Sequence, residues 1–511
     1  MMRLTYARAS ALLLAAAVVA LFTADIAVTA LNPWADLKRL GWGILTPDIR
    51  AIEVWSVVWT VAFAVVGVGL GAAAGFGLAI LYPHSSAVRH FSVIIRSIHE
   101  LFWALLLIQV FGLGPVTGVL AIALPYAGIF AKVYAEMLEE ADLVAVRVLP
   151  VGTSTLSAFA FARLPEVMER FRTYTLYRLE CGMRSTLVLG FIGLPTIGFH
   201  LESYFKQGRY AQAAALLGVF YLLIGTRRIW ARPATIPILM IASVLLLPET
   251  IGGGSAVANL IRFVGHDIVP SPLRNGHLLD LGTWAALVKW LWVIFATKIL
   301  PGTWQTLVLS QVALVAAGIM SLLVFPAISR TFLGIGGQTA GRVSLVIVRS
   351  TPEYMLAYVL LQVLGPSMLP AIIALAVHNG GIIGYLLGRH SDQLEQRRDA
   401  PGGINLYAFE VVPRLYGQFL AYLLYRWEII VRESAIFGIL GVGTLGFHID
   451  GAISELRFDV AVVLIAATVV LSAIIDAVSR FVRASLKIST LPTRLAEAAG
   501  AHHLTPAGAI R

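Results

Sequence analysis

The sequence predicts an all-α polytopic membrane protein with about twelve transmembrane helices, arranged as two parallel six-helix repeats. Three observations lead to this fold class. The 511-residue chain is 58% hydrophobic and 13% charged, with a mean hydropathy of +0.83, which excludes a soluble globular protein and a disordered one. Long apolar runs recur along the chain. The same order of polar residues occurs twice, which indicates an internal duplication.

The apolar runs define the predicted spans. A run of about 17 to 25 residues crosses roughly 30 Å of hydrocarbon as a helix. With these spans, most Lys and Arg of the loops fall on the cytoplasmic side, so we expect a multi-pass protein of the cell (inner) membrane with both termini cytoplasmic. These loops explain the net charge of +10 without nucleic-acid binding. The runs are 11–31, 55–82, 99–111, 115–136, 172–192, 211–225, 234–248, 303–326, 352–364, 366–388, 415–440 and 459–479.

The duplication fixes the domain organisation. Because six spans is an even number, the two copies have the same orientation, which implies a pathway along a pseudo-twofold axis between them. We assign residues 1–228 to the first repeat, 229–490 to the second, and 491–511 to a poorly ordered cytoplasmic tail. The matched motifs are Arg96-Ser97-x-x-Glu100 with Arg349-Ser350-x-x-Glu353, Tyr177-Arg178-x-Glu180-x-x-x-Arg184 with Tyr425-Arg426-x-Glu428-x-x-x-Arg432, and Thr196-x-Gly198-Phe199-His200 with Thr444-x-Gly446-Phe447-His448.

Charged residues inside the predicted spans are candidates for the pathway. Glu180 precedes Arg184 by four residues, which is the favourable order for a pair on one helix face. The second repeat has the same spacing in Glu428 and Arg432. One interpretation is that these pairs are structural ties to neighbouring helices or to the Arg-Ser-x-x-Glu motif. The other is that four arginines ring the pathway and lower the barrier for a dianion, namely Arg178, Arg184, Arg426 and Arg432.

The glycine-rich segments after these charges predict a broken helix with close backbone approach near the outer face. Gly198 and His200, with Gly446 and His448, then lie at the outer mouth, where a gate closes or a partner docks. The alternative is an interfacial histidine beside an aromatic ring. The sequence predicts no metal site and no catalytic set, and Cys181 is the single cysteine.

Two cytoplasmic loops are predicted to bind partners. In the first, Gly152 precedes Leu164-Pro165 by twelve residues, and this spacing resembles the coupling loop of ATP-binding-cassette (ABC) importer permeases. That loop also carries Glu-Ala-Ala, for which this chain has 146–148 with Val, Arg and Val. The second loop is five residues shorter and keeps only Val412-Pro413 of the pattern, because Gly402 and Gly403 lie too close to preserve the spacing. The alternative interpretation is an ordinary amphipathic loop.

The Tyr-x-x-Tyr-Arg-x-Glu stretches with the glycines that follow, and the Arg-Ser-x-x-Glu motifs, resemble the phosphonate ABC importer permease family over most of both repeats. In that family one six-span unit is usual and two associate, so this chain resembles two fused units. The resemblance implies a type I ABC importer permease-like fold. It also implies import of phosphonates or related oxyanions (phosphite, hypophosphite, phosphate) by alternating access. The implied partners are two ABC ATPase subunits inside and a periplasmic or lipid-anchored binding protein outside.

Two other classes stay open at this point. An ion-coupled secondary transporter of a small anion explains duplication and buried charge, but it requires acidic residues at an ion site in the membrane. An enzyme acting on lipid requires a catalytic set near the interface, which only His200, His448 and nearby acids could supply. The sequence has no Gly-x-x-x-x-Gly-Lys-[Ser/Thr] motif, so we expect this chain to bind no cofactor and its partners to use the ATP.

Overall fold

The computed structural model describes residues 5–141, 144, 148–150, 152–249, 255–277, 279–397 and 399–486. Within these ranges the chain is helical and contains no strand, which confirms the predicted class. The predicted tail, 491–511, lies outside the described residues, and so do residues 146–147 of the first loop.

The main helices follow the predicted repeat order. Those of the first repeat are α1 Tyr6–Leu21, α2 Pro33–Leu45, α3 Val54–Leu81, α4 Ser86–Ser97, α5 Glu100–Phe111, α6 Pro115–Glu139, α7 Leu164–Phe191, α8 Ile197–Lys206 and α9 Tyr210–Gly225. Those of the second are α10 Ile236–Leu245, α11 Leu281–Ile294, α12 Leu300–Val324, α13 Arg330–Ser350, α14 Glu353–Leu364, α15 Leu369–Ser391, α16 Val412–Ser434, α17 Leu445–Ser454 and α18 Phe458–Ser485. We call α3–α9 the first half and α12–α18 the second half.

Helix length limits how many of these elements can be spans. Among the described residues, six helices are long and apolar enough to cross a membrane, or seven if the bent pair α4–α5 is one span. The count of about twelve therefore stays a prediction. Helices α5 and α14 have twelve residues each, or about 18 Å at 1.5 Å per residue, so neither can cross alone. The predicted spans 99–111 and 352–364 are thus half-length helices. Helix α5 turns by 96° from α4.

Each repeat lends its first helix to the opposite half. Helix α1 packs along α12 and α16, where Ser10 Oγ is 2.7 Å from the Tyr416 hydroxyl and Gln311 Nε2 donates to the Leu13 carbonyl at 2.9 Å. Beyond α1, the Thr29 amide donates to the Leu364 carbonyl at 2.9 Å. Helix α10 packs in turn on α3. The two halves are therefore interlocked by exchanged helices.

Three helices widen into a π turn immediately before a proline. The π turns Phe159–Arg163, Phe295–Ile299 and Leu406–Val411 precede Leu164-Pro165, Leu300-Pro301 and Val412-Pro413. A proline ring clashes with the carbonyl four residues earlier and offers no N–H, so the helix relaxes locally. The dipeptides Leu164-Pro165 and Val412-Pro413 thus mark a local helix deformation in each cytoplasmic loop.

The glycine-rich segments make the close backbone crossings that the sequence predicts, in both halves. A Cβ on Gly198 would overlap the Leu187 carbonyl, and one on Gly446 would overlap the Ala435 carbonyl. Matched hydrogen bonds support each crossing. The Ile197 amide donates to Thr60 Oγ1 at 2.9 Å, and the Leu445 amide donates to the Thr306 hydroxyl at 3.1 Å. The broken helices therefore rest on a glycine pair and a threonine in each half.

Replacing Gly198 by Ala is expected to lower the free energy of unfolding by about 1–3 kcal/mol, because the methyl group has no room against the backbone of α7. The matched control is Gly218→Ala in α9, where a Cβ meets nothing within 4 Å and stability should not fall. Thermal unfolding in detergent measures both. Equal melting temperatures for the two variants would contradict the crossing.

Candidate functional site: a charged layer between the two halves

Two ion pairs cross between the halves and repeat each other. Arg96 of the first half lies 3.9 Å from Glu428 of the second, and Arg349 of the second lies 3.7 Å from Glu180 of the first. Each arginine stands in the last turn of a helix that ends at a break, α4 or α13, and each glutamate lies on the long helix of the other half. The reciprocity confirms that the matched motifs meet at one interface.

The other motif arginines reach across the same interface. Arg432 Nη1 donates to the Arg96 carbonyl at 2.8 Å, and Arg184 Nη1 donates to the Arg349 carbonyl at 3.2 Å. Carbonyls in the last turn of a helix lack intrahelical partners and carry the negative end of the helix dipole, so they attract guanidinium groups. Each break is therefore held from the opposite half.

The predicted pairing within one helix is wrong. Among the ion pairs of the described residues, Glu180 is bound to Arg349 and to Arg227, at 3.7 and 3.6 Å, and not to Arg184. Glu428 likewise pairs with Arg96 and not with Arg432. The i,i+4 spacing is real, but the arginines are drawn to the carbonyls of the other half. Each glutamate thus pairs with an arginine of the other half, while the choice between structural ties and pathway residues stays a prediction.

Like Arg184 and Arg432, Arg178 and Arg426 have no carboxylate partner, and unlike those two they bind no helix-end carbonyl among the described residues. In the part of the chain that the structure describes, no acidic oxygen lies within 4.0 Å of either guanidinium. Arg178 Nε donates to the Tyr174 hydroxyl at 2.9 Å, and its guanidinium lies over the rings of Tyr174 and Tyr126 at 5.3 and 5.9 Å. Cation–π contact stabilises this charge without neutralising it. Both side chains remain partly accessible.

These residues form what we call the charged layer. It contains seven arginines and five glutamates, so with all groups ionised it has a surplus of two positive charges. Its members are Arg96, Arg178, Arg184, Arg227, Arg349, Arg426, Arg432, Glu100, Glu180, Glu353, Glu428 and Glu433.

The two halves differ within the charged layer. In the first, Ser185 Oγ donates to Glu100 Oε1 at 2.8 Å and lies 3.3 Å from the Tyr126 hydroxyl. In the second, the position of Ser185 is taken by Glu433, beside Glu353 and the buried His378. The sequence analysis missed this acidic cluster because its three members are 25 and 55 residues apart along the chain.

An apolar contact closes the interface next to the charged layer. A small cavity there is lined by Leu101, Val188, Phe191, Tyr354, Ile436, Ile439 and Leu440. Phe191 of the first half packs edge-on against Tyr354 of the second, with ring centroids 5.3 Å apart. Aromatic pairs of this geometry contribute about 0.5–1.5 kcal/mol beyond area burial. Charge and apolar contact therefore occupy adjacent levels between the halves.

The two predicted outer histidines have different partners. His200 Nε2 lies 2.7 Å from Glu53 Oε2, at the start of α3. His448 lies against Gly302, and burial together with the nearby Lys298 lowers its pKa. His200 thus contacts the N-terminal end of α3, and His448 contacts the N-terminal end of α12. A role for Gly198, His200, Gly446 and His448 as a gate or docking site stays a prediction.

The two cytoplasmic loops present matching exposed apolar residues. Phe161 is 83% exposed and Phe409, 248 residues later, is 76% exposed. Leu156 and Ile404 form a second exposed pair at the same offset. Large apolar side chains that are exposed at equivalent positions of both loops are typical of a binding surface.

The turn glycines of the two loops are Gly152 and Gly403, which have φ of +95° and +61°. Gly402, the neighbour of Gly403, is extended at φ −95°. Gly403 lies nine residues before Val412, whereas Gly152 lies twelve before Leu164. The loops also have different anchors: Arg163 Nε donates to the Leu138 carbonyl at 3.0 Å, and the Tyr407 hydroxyl donates to the Leu322 carbonyl at 2.9 Å.

An all-helical chain of two interlocked halves, with charge buried between them, has the architecture of a membrane permease. Comparison with known proteins defines the class further. Over 462 residues the chain is 28% identical to the phosphate-import permease protein PhnE of Mycolicibacterium smegmatis, covering 84% of this chain and 85% of the relative. This similarity is to import permeases of the kind that the sequence resemblance implies, and the length of the match is consistent with two fused units.

Shorter relatives match a part of the chain. The putative phosphite transport system permease protein HtxE of Stutzerimonas stutzeri is 32% identical over 27% of this chain and 54% of its own length. The phosphite transport system permease protein PtxC of the same organism is 27% identical over 39% of this chain and 76% of its own length, so it is about half as long. No family model and no solved structure matches the chain.

Removing Glu180 is expected to destabilise the chain more than removing Glu428, because two arginines lose their partner instead of one. We expect Glu180→Gln to lower the free energy of unfolding by about 3 kcal/mol, the lower end for breaking a buried ion pair, because Arg349 is partly exposed. The control Glu455→Gln breaks an exposed pair with Arg457 and should cost about 0–1 kcal/mol. Denaturant titration in mixed micelles compares the three variants; equal losses would contradict the double pairing.

Proposed function

We propose that this chain is the translocation subunit of an ATP-driven importer for phosphorus oxyanions, in the class of phosphonate, phosphite, hypophosphite and phosphate. The observation that carries the proposal is the surplus of two positive charges in the charged layer, which equals the charge of a phosphonate dianion. The names of the relatives, which are phosphate and phosphite permeases, support the same class of substrate.

Arg178 and Arg426 are the residues that we assign to the substrate. They occupy equivalent positions on α7 and α16, and neither has a carboxylate to neutralise it. A guanidinium presents two parallel N–H donors that match two oxygens of a phosphonate. Arg184 and Arg432 bind the carbonyls at the helix breaks, so they would attract the substrate by their positive charge more than by direct contact. An anion that enters between the halves would replace the missing counter-charge.

Transport by alternating access then follows from how the halves are held. The ion pairs between the halves are long, at 3.7 and 3.9 Å, and can exchange partners when the helices rotate. The apolar contact of Phe191 with Tyr354 closes one side of the layer. Two ABC ATPase subunits would bind the exposed apolar residues of the cytoplasmic loops, and the rigid helices α7 and α16 would carry their movement to the layer. An external binding protein, periplasmic or lipid-anchored, would deliver the substrate.

An ion-coupled secondary transporter is the second candidate, and one observation favours it. Glu353 and Glu433 form an acidic cluster inside the second half, which is the feature that an ion site requires. The relatives, which are ABC permeases, favour the first candidate. Reconstituted liposomes separate the two, since an ATP-driven importer takes up no labelled phosphite without its ATPase, whereas a secondary transporter needs only an ion gradient.

Replacing Arg178 and Arg426 is expected to impair substrate recognition by the membrane subunit. In cells with the complete transport system, we expect the double variant Arg178→Gln/Arg426→Gln to lower uptake of labelled methylphosphonate, phosphite or phosphate by about 10- to 100-fold, the effect of losing one or two charged hydrogen bonds. Arg480→Gln, an exposed arginine near the end of α18, is the control and should retain uptake. Normal uptake by the double variant at normal expression excludes these residues as the substrate site.

The two loops are expected to bind their ATPases unequally, because their turns and anchors differ. Substitutions around Gly152 should impair transport more than equal changes around Gly402 and Gly403. Phe161→Ser and Phe409→Ser should each reduce the ATPase that co-purifies with the chain, while Val257→Ser, an exposed apolar residue outside both loops, should not. Quantified co-purification and uptake provide the measurement. Equal loss of uptake from both loops would count against the unequal grip.

A further inference from the structure

The second half contains a buried set of three side chains that could hold a metal ion. One ligand atom each of Glu353, His378 and Glu433 lies within 4.8 Å of the others. His378 is 2% exposed, and its Nε2 is 3.7 Å from Glu353 Oε2. Ligands at about 2.0–2.2 Å from one tetrahedral ion stand roughly 3.3–3.6 Å apart, so small side-chain movements would close the set around an ion. We propose that this cluster binds one divalent first-row transition metal ion.

The surrounding hydrogen bonds orient these groups as the partners of metal ligands do. His378 Nδ1 lies 2.9 Å from the Thr351 carbonyl, to which it must donate, so Nε2 keeps its lone pair for an ion. Asn379 Nδ2 donates to Glu433 Oε2 at 3.1 Å and fixes that carboxylate. Asn379 is fully buried, and its Oδ1 has no hydrogen-bond partner among the described residues. Asn379 thus places a buried amide oxygen without a hydrogen-bond partner beside the cluster.

The first half shows that the fold does not require this set. The residues equivalent to His378 and Asn379 are Pro125 and Tyr126, and Ser185 stands in place of Glu433. The helices nevertheless pack in the same way, with α6 on α3 as α15 on α12. Packing of the duplicated unit therefore does not explain the two extra ligands, which are confined to the second half.

The local charge at Glu353 and Glu433 also favours a cation, although the charged layer as a whole has a positive surplus. Glu353 and Glu433 are two carboxylates in a buried place, and within the described chain no Lys or Arg nitrogen lies within 4.0 Å of either. A guanidinium lies beside the histidine, since Arg184 Nη1 is 3.4 Å from His378 Nε2. That contact is long for a hydrogen bond, and Arg184 keeps its bonds to the Arg349 carbonyl and to Cys181 Sγ if an ion takes its place. Buried carboxylates repel each other unless a cation or a proton intervenes.

The donor set selects the kind of ion. Two carboxylates with one imidazole suit Mn²⁺, Fe²⁺ or Zn²⁺, whereas Mg²⁺ and Ca²⁺ prefer oxygen alone and Cu⁺ prefers sulfur. The ion would lie beside Arg184 and would raise the positive charge of the layer. This inference stands on the cluster itself and does not depend on the proposed substrate.

The test uses the full chain in nanodiscs with its affinity tag removed, titrated with Mn²⁺ by electron paramagnetic resonance and with Zn²⁺ by calorimetry. We expect saturable binding of one ion per chain. Glu433→Ser, which restores the residue of the first half, should weaken binding by at least about 100-fold, and Asn379→Ala by about 10- to 100-fold. Glu433→His keeps a ligand and should retain binding. Glu455→Gln, which removes an exposed carboxyl outside the charged layer, should leave binding unchanged.

Two results would overturn the proposal. One is the absence of saturable binding to the unaltered chain. The other is equal binding by the unaltered chain and by Glu433→Ser, provided that both elute as a single monodisperse species. If Glu433→Ser does not fold, Glu433→His and His378→Gln decide the matter, since loss of binding in the second with retention in the first is specific for ligation.

Discussion

The cost of burying charge is the constraint on which this structure depends. Each unpaired ion inside a membrane protein is expensive, so the arginines and glutamates between the halves must find partners. They find them across the interface: Arg96 with Glu428, and Arg349 with Glu180. Neither half could bury its own motif alone, since the counter-charge stands in the other copy. The same exchange occurs at the level of whole helices, where α1 crosses to the second half and α10 to the first.

Much of the fold could be predicted from the sequence because it follows from local signals. Composition gives a helical membrane protein, and the repeated motifs give two copies in one orientation. The close backbone contacts at Gly198 and Gly446 were also predictable, because a residue without a side chain lets two backbone segments approach each other. Helix length was harder. The breaks after Arg96 and Arg349 are followed by the apolar runs 99–111 and 352–364, which look like spans in the sequence although α5 and α14 are half-length helices.

Contacts between distant residues could not be predicted. The spacing of Glu180 and Arg184 favours a pair on one helix, but it cannot show that a carbonyl of the other half competes for the arginine. In the same way, Glu353, His378 and Glu433 carry no spacing typical of a metal site, because three helices bring them together. Sequence indicates which residue types are costly to bury. The tertiary fold decides how that cost is met.

The second half has Glu433 at the position where the first half has Ser185, and this difference shows what covalent fusion permits. When two identical subunits associate, every mutation appears on both sides of the axis, and an added carboxylate would be paired with its own image. Joining the copies in one polypeptide removes that obligation. Each half can then acquire residues that the other half lacks, so the two sides of the pathway are free to diverge in function.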